Sequence, residues 1–190
     1  MAAAAVAGMG FALSKQTEKI DKVAKTARKL GTTVSTLQEL QFAAELTGVS
    51  ANTMDMAMQR LTRRVSEAAG GFGEAKGALR ELGLNAAKLE KMPLDKQMEA
   101  LADAFEGVDS QADKVRLSMK LFDSEGVALV NTLGAGSAGL REMAQEARDL
   151  GLTLTDLEAA RFEEMNDAIT KMKFAASAST TVFVSELLPA

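Results

Sequence analysis

The chain has 190 residues, 47% of them hydrophobic, and a net charge of −4, yet it contains no His, Cys, Trp or Tyr and only 2 Pro. Without His or Cys it can build neither Ser-His-Asp nor Cys-His catalysis, no usual zinc site and no disulfide. The negative charge gives no global reason to bind nucleic acid. Ala, Leu, Met and Glu are abundant and all favour helix. With 8 Phe as the only aromatics, an all-α protein with an aliphatic core rich in Met and Ala is expected.

The first thirty residues carry Val6, Met9, Leu13, Gln16, Ile20, Val23, Ala27 and Leu30 in steps of 3 and 4. This heptad seam is the signature of a coiled coil, with Gln16 as its one polar position. A single amphipathic helix packed on its own domain is the competing reading. Leu30-Gly31 closes the helix, because Gly accepts the left-handed conformation that ends helices. Ser35 is expected to cap the next helix, with Gln38 three residues on, and Leu37, Leu40 and Ala44 share its inner face. Gly48 stops it. Ser50 or Asn52 caps a successor lined by Met54, Met58, Leu61 and Val65. Arg60, Arg63 and Arg64 cluster on that helix. They read either as a phosphate- or carboxylate-binding patch or as a solvated face paired with Glu67.

Gly70-Gly71-Phe72-Gly73 is a break. A short helix follows from Glu74 and closes at Leu82-Gly83-Leu84, and Asn85 caps another turn or two. Pro93 precedes a helix with Leu94, Met98, Leu101 and Phe105 inward. Ser110 opens a helix to Phe122, with Val115, Met119 and Phe122 inward, and Ser124 opens another through Leu133. Gly134-Ala135-Gly136-Ser137-Ala138-Gly139 fits the G-x-G-x-x-G pattern, but a dinucleotide site needs a strand before it and a βαβ unit around it. A helix precedes it here, so it reads as a turn before a helix over residues 140–150. That helix ends at Leu150-Gly151-Leu152.

Thr155 caps a long last helix. Phe162, Met165, Ile169, Met172, Ala176, Ser179 and Phe183 form a second heptad seam. The pattern predicts a heptad helix over residues 1–30, a compact multi-helix module over 31–152, and a long helix with an apolar end over 153–190. The compact module consists of short Gly-terminated helices flanked by coiled-coil-like ones. Self-association is assigned to Val6, Met9, Leu13, Gln16, Ile20, Val23, Leu30, Phe162, Met165, Ile169 and Met172. No catalytic, cofactor-binding or metal-binding residue is assigned. The apolar ends are shorter than a membrane span, no positive charge precedes the first to mark a signal peptide, and the abrupt finish after Leu187-Leu188-Pro189 suggests a fragment of a longer protein.

Several segments, taken in order, resemble bacteriophage tail length tape measure proteins. The likeness runs from Leu30-Gly31 to Ala69, with Leu37-Gln38-Glu39-Leu40-Gln41-Phe42-Ala43-Ala44-Glu45-Leu46-Thr47-Gly48-Val49-Ser50 at its centre. It continues through Gly73-Glu74-Ala75-Lys76-Gly77-Ala78-Leu79-Arg80-Glu81-Leu82-Gly83-Leu84, Ala102-Asp103-Ala104-Phe105, Met119-Lys120-Leu121-Phe122, Gly126 and the Leu133-Gly134-Ala135-Gly136 turn, to Glu164-Met165-Asn166-Asp167-Ala168. It covers about residues 20–175. These are patterned helices, not a catalytic signature.

The resemblance implies a structural component of a tailed phage or prophage. Such a protein is made in the host cytoplasm, lies in the lumen of the tail tube as several copies, sets tail length and leaves during DNA ejection. It implies tail tube protein, tail assembly chaperones and tail tip proteins as partners, and usually a much longer chain. Some members carry peptidoglycan-cutting domains, which nothing in this sequence matches. A membrane-active helical module that aids genome passage through its apolar ends, and a bacterial coiled-coil adaptor, are the alternatives. An enzyme working with carboxylates alone is set aside, because Glu-rich helices supply many acidic pairs without chemical meaning.

Overall fold

The computed structural model describes the backbone of residues 2–187 and the side chains of residues 15–172, 174 and 175. Among these residues all regular secondary structure is helical, with no strand. In order the helices are α1 (Ala2–Leu30), α2 (Val34–Leu46), α3 (Ala51–Ala69), α4 (Ala75–Glu81), α5 (Ala86–Leu89), α6 (Leu94–Glu106) and α7 (Gln111–Phe122). A 3-10 turn (Asp123–Glu125) follows, and then α8 (Gly126–Leu133), α9 (Gly136–Asp149) and α10 (Asp156–Leu187).

The chain divides into two units, one made of residues up to Lys25 and from Thr155 onward, the other running from Thr26 to Leu154. The helical stretches expected at the two ends therefore belong to one unit. The last turn of α1 belongs to the other.

In the unit from Thr26 to Leu154, α3 is the central element. It packs against α2, α4, α5, α7 and the 3-10 turn, while α9 lies on α2 and α6. Met54, Met58 and Leu61 on α3 are completely buried, as are Met98, Leu101 and Phe105 on α6. These are the stripes that the 3–4 spacing predicts. At α7 the prediction fails in part. Met119 is 45% exposed, and Leu117 and Leu121 fill the core instead, beside Phe122. Apolar residues lie on two sides of this helix, so spacing alone does not choose between them. The choice is made by the helices that pack on α7, namely α3, α4 and α8; Gly126 of α8 sits so close that a Cβ there would overlap the carbonyl oxygen of Ser118.

The helix stops follow the expected physics. Gly31, Gly48, Gly83 and Gly151 all have positive φ. At the third, the N–H of Leu84 donates to the carbonyl of Leu79 at 2.8 Å and that of Gly83 to Arg80 at 3.1 Å. This Schellman pattern satisfies two otherwise orphaned carbonyls and sets one Leu against the other. Leu152 to Ala147 and Gly151 to Arg148, both at 2.9 Å, repeat it.

The caps are legible with two exceptions. Ser50, Asn85, Ser110 and Thr155 each accept a bond from the backbone N–H three residues on. Ser35 does not cap α2. Thr33 does, accepting from the N–H of Thr36 at 3.1 Å, while Ser35 donates its hydroxyl to Glu39 Oε1 at 2.9 Å. Thr33 has the extended backbone (φ −80°, ψ 157°) that an N-cap needs. Ser124 likewise lies within the 3-10 turn and caps nothing. The helix expected from residue 140 begins earlier, at Gly136, because a carboxylate on α6 supports its first turn. Asp103 Oδ1 accepts the Ser137 N–H at 2.8 Å. Asp103 is thereby held below the usual carboxylate range, first by the Ser137 hydroxyl and then by its N–H.

Candidate functional site

The residues singled out for self-association separate into different environments. Val6, Met9 and Leu13 lie outside the residues whose side chains are described, as do Ala176, Ser179 and Phe183. On α1, Ile20 and Val23 are buried within the single chain, at 6% and 5% exposure, and Leu30 is half-buried. Gln16 is exposed, and Thr17 takes the shielded place beside it. The charged member of this face is Asp21, only 7% exposed although it is a carboxylate.

Asp21 marks where α1 meets α10. Its Oδ2 accepts from Asn166 Nδ2 at 3.0 Å and from Lys25 Nζ at 2.7 Å, while its Oδ1 has no partner. Lys25 is held above its ordinary pKa, first by its bond to Asp21, with Asp167 and Glu163 adding attraction. Position 21 thus lies by position 166 where the two helices meet. A buried carboxylate is costly unless it is paired and hydrogen-bonded; the Lys25 bond lies within α1, and a shift of one turn along either helix would break the Asn166 bond, the one that crosses between them. The contact therefore fixes the register of the pair. Its sequence signal is an Asp between Ile20 and Val23, which heptad counting passed over.

The seam assigned to α10 divides in two. Ala159 is buried, and Phe162, Asn166 and Ile169 are half-buried. These residues step by 3, 4 and 3 along one side. Met165 and Met172 are 40% and 64% exposed and lie on another side with Leu157, which is 66% exposed. The heptad reading merged an inner face turned to α1 with an outer apolar face.

The arginines of α3 also divide. Arg63 is on a solvated face and pairs with Glu67 at 3.0 Å. Arg64 is only 8% exposed and donates to the Lys120 carbonyl at 2.7 Å, which satisfies the open end of α7. It also pairs with Glu74 at 3.0 Å and Asp123 at 3.3 Å. Arg60 pairs with Asp123 at 2.7 Å and with Glu125. Asp123 is the one non-glycine residue with positive φ, +61°, among the described residues, a conformation that costs on the order of 1–3 kcal/mol and persists only where the surroundings hold it. Two guanidiniums hold it here. The sequence does not announce this, since the partners are about sixty residues apart. With Glu74, Asp123 and Glu125 answering Arg60 and Arg64, the cluster closes a corner of the fold and leaves no surplus of positive charge for an anion.

A cleft of about 380 Å³ opens between α2, α6 and α9. Leu40, Ala43, Leu140 and Ala144 contribute its apolar lining. Its charged groups answer one another, Arg148 to Glu39 at 2.8 Å, Arg141 to Glu99 at 3.0 Å and Lys96 to Glu99 at 2.7 Å. Such a rim offers shape but no uncompensated charge to orient a reactive substrate. The G-x-G-x-x-G segment is no phosphate loop. Gly134 and Ala135 turn between α8 and α9, Gly136 has φ +65° with Glu106 packed where a Cβ would project, and Gly139 is inside α9.

Among the described residues no three His, Cys, Asp or Glu side chains group to hold a metal ion, and no helix is long and apolar enough to cross a membrane. Comparison with protein-family models, with curated proteins and with solved structures finds no match to this chain.

Proposed function

We propose that the chain is a structural component of a phage or prophage tail, of the tape measure kind, and acts through its helices rather than through chemistry. The observation that carries this reading is the pair of uninterrupted helices, α1 with 29 residues and α10 with 32. At a constant rise of ~1.5 Å per residue these measure roughly 44 and 48 Å. A ruler needs such an element, because its length is then proportional to residue number. The ordered segments that resemble tape measure proteins supply the location in the tail lumen, the release during DNA ejection, and tube, chaperone and tip proteins as partners. The self-neutralised cleft and the salt-bridged arginine corner fit an architectural role.

The test is genetic. Whole heptads are removed in frame from α10 in the parent gene, and tails are measured by electron microscopy. Tails should shorten in proportion, by ~1.5 Å per residue removed. Unchanged tail length would end the ruler reading for this helix.

A further inference from the structure

We infer that the outer face of α10 is a docking surface for a second copy of this chain, paired antiparallel through the same face. Leu157, Arg161, Met165, Ala168 and Met172 step by 4, 4, 3 and 4, so they line one side of the helix. All five are exposed, Leu157 at 66% and Met172 at 64%. The side bearing Asn166 is already engaged with α1. Four of the five are apolar and Arg161 interrupts them; a long stripe with 3–4 spacing suits another helix better than a compact ligand.

Charge selects the occupant and its direction. Glu164 and Lys171 are both exposed and stand seven residues apart on the same edge of the stripe, because two helical turns return to the same edge. In an antiparallel pair an edge meets the identical edge of the other copy. Each Glu164 then faces Lys171 of the second copy, and the contact forms twice by symmetry. In a parallel pair the edge meets the opposite one, and Glu164 would face Ile169 of the second copy instead. The antiparallel axis falls between positions 167 and 168. It brings Ala168 beside its own copy and sets the two Leu157 residues roughly 30 Å apart, at ~1.5 Å per residue.

This inference concerns self-association and does not rest on the tail reading or on tail measurement. A failure here leaves the tail-length experiment standing, and unchanged tails would leave the pairing untouched. The test is sedimentation and light scattering of the purified chain over a range of concentrations. The expected result is a dimer, twice the 20.0 kDa of one chain. The exposed double variant Met165→Glu/Met172→Glu should be monomeric with unchanged helix content by circular dichroism. Glu164→Lys should weaken the dimer roughly tenfold, as two attractions become repulsions, and adding Lys171→Glu should restore it. Direction is read by oxidation, since the chain has no native cysteine. Ala168→Cys should cross-link two copies and Leu157→Cys should not, because a disulfide needs Cα atoms within ~7 Å. A monomer at every concentration, a dimer indifferent to the two Met substitutions, or a cross-link through Leu157→Cys would each overturn the proposal.

Discussion

In the unit from Thr26 to Leu154, successive helices bury side chains completely, among them Met58, Leu61, Leu79, Met98, Phe105, Leu117, Leu121 and Leu133. The α1–α10 unit buries Ile20, Val23, Ala24 and Ala159 around a carboxylate with one unanswered oxygen. Each large side chain removed from water contributes ~1.5–3 kcal/mol, so the first region is held by volume. Among its described residues the second shows less apolar burial, beside a polar contact that fixes register. A large aliphatic core tolerates one arrangement, because close-packed interiors leave no second fit. A helix pair whose described residues leave Leu157, Met165 and Met172 outward is suited to gaining a further partner.

The sharpest way to break this comparison is a cavity in the larger unit. Phe105→Ala should cost about 3–5 kcal/mol, since a wholly buried ring leaves a hole that its neighbours fill only in part. Urea unfolding followed by circular dichroism measures it. Amide exchange along α10 should be unchanged if the two units unfold separately, and equal loosening of α10 would merge them into one cooperative block. Gly126→Ala should cost less, about 1–3 kcal/mol, by overpacking. The added methyl meets the backbone of Ser118 and not a movable side chain. A stable variant with unchanged midpoint would show that α7 and α8 separate freely.

Elements that rest on local chemistry were legible in the residues. Gly31, Gly48, Gly83 and Gly151 ended helices where a left-handed residue followed by an apolar or Thr neighbour says they should. Met54, Met58, Leu61 and Leu101 fell inward by period alone. What spacing left open was decided by distant partners. Met119 and Leu117 are chemically similar, and it is the helices packed on α7, namely α3, α4 and α8, that leave the first outward. Thr33 and Ser35 both carry hydroxyls, and the extended backbone at Thr33 made it the cap. The split of the α10 seam was hidden because Phe162, Met165, Ile169 and Met172 obey one heptad rule while α1 takes only one side. Asp123 shows no local signal, since the arginines that hold its backbone arrive from α3.

The cap assignment yields a smaller effect. Thr33→Ala should destabilise the larger unit by about 1 kcal/mol, the usual loss of an N-cap. Ser35→Ala should change it less, by about half a kcal/mol, as a half-buried helical position away from the cap that loses its bond to Glu39. Thermal unfolding of the two variants ranks them, and the reverse order would return the cap to Ser35.

The smallest expected effect compares how each unit supports a helix start. In the larger unit, Asp103 reaches from α6 to the first turn of α9. In the other, Glu158 reaches back along its own helix and accepts the Thr155 N–H at 2.9 Å and its hydroxyl at 2.7 Å. Both carboxyls are held below their ordinary values, 3.8 for Asp103 and 4.5 for Glu158, by those bonds. A depressed folded pKa means that the unfolded chain binds the proton more readily. The stabilisation is thus fully present above the ordinary value and drains away as pH falls through the folded one. Protection of the Ser137 and Thr155 amides, corrected for intrinsic exchange, should therefore fall together on acidification below those values. Asp103→Asn should remove the acid response at Ser137 and leave Thr155 unaffected. If Ser137 protection holds at low pH in the unaltered chain, α9 starts without help from α6, and the tertiary cap is no part of what makes this unit the more tightly specified one.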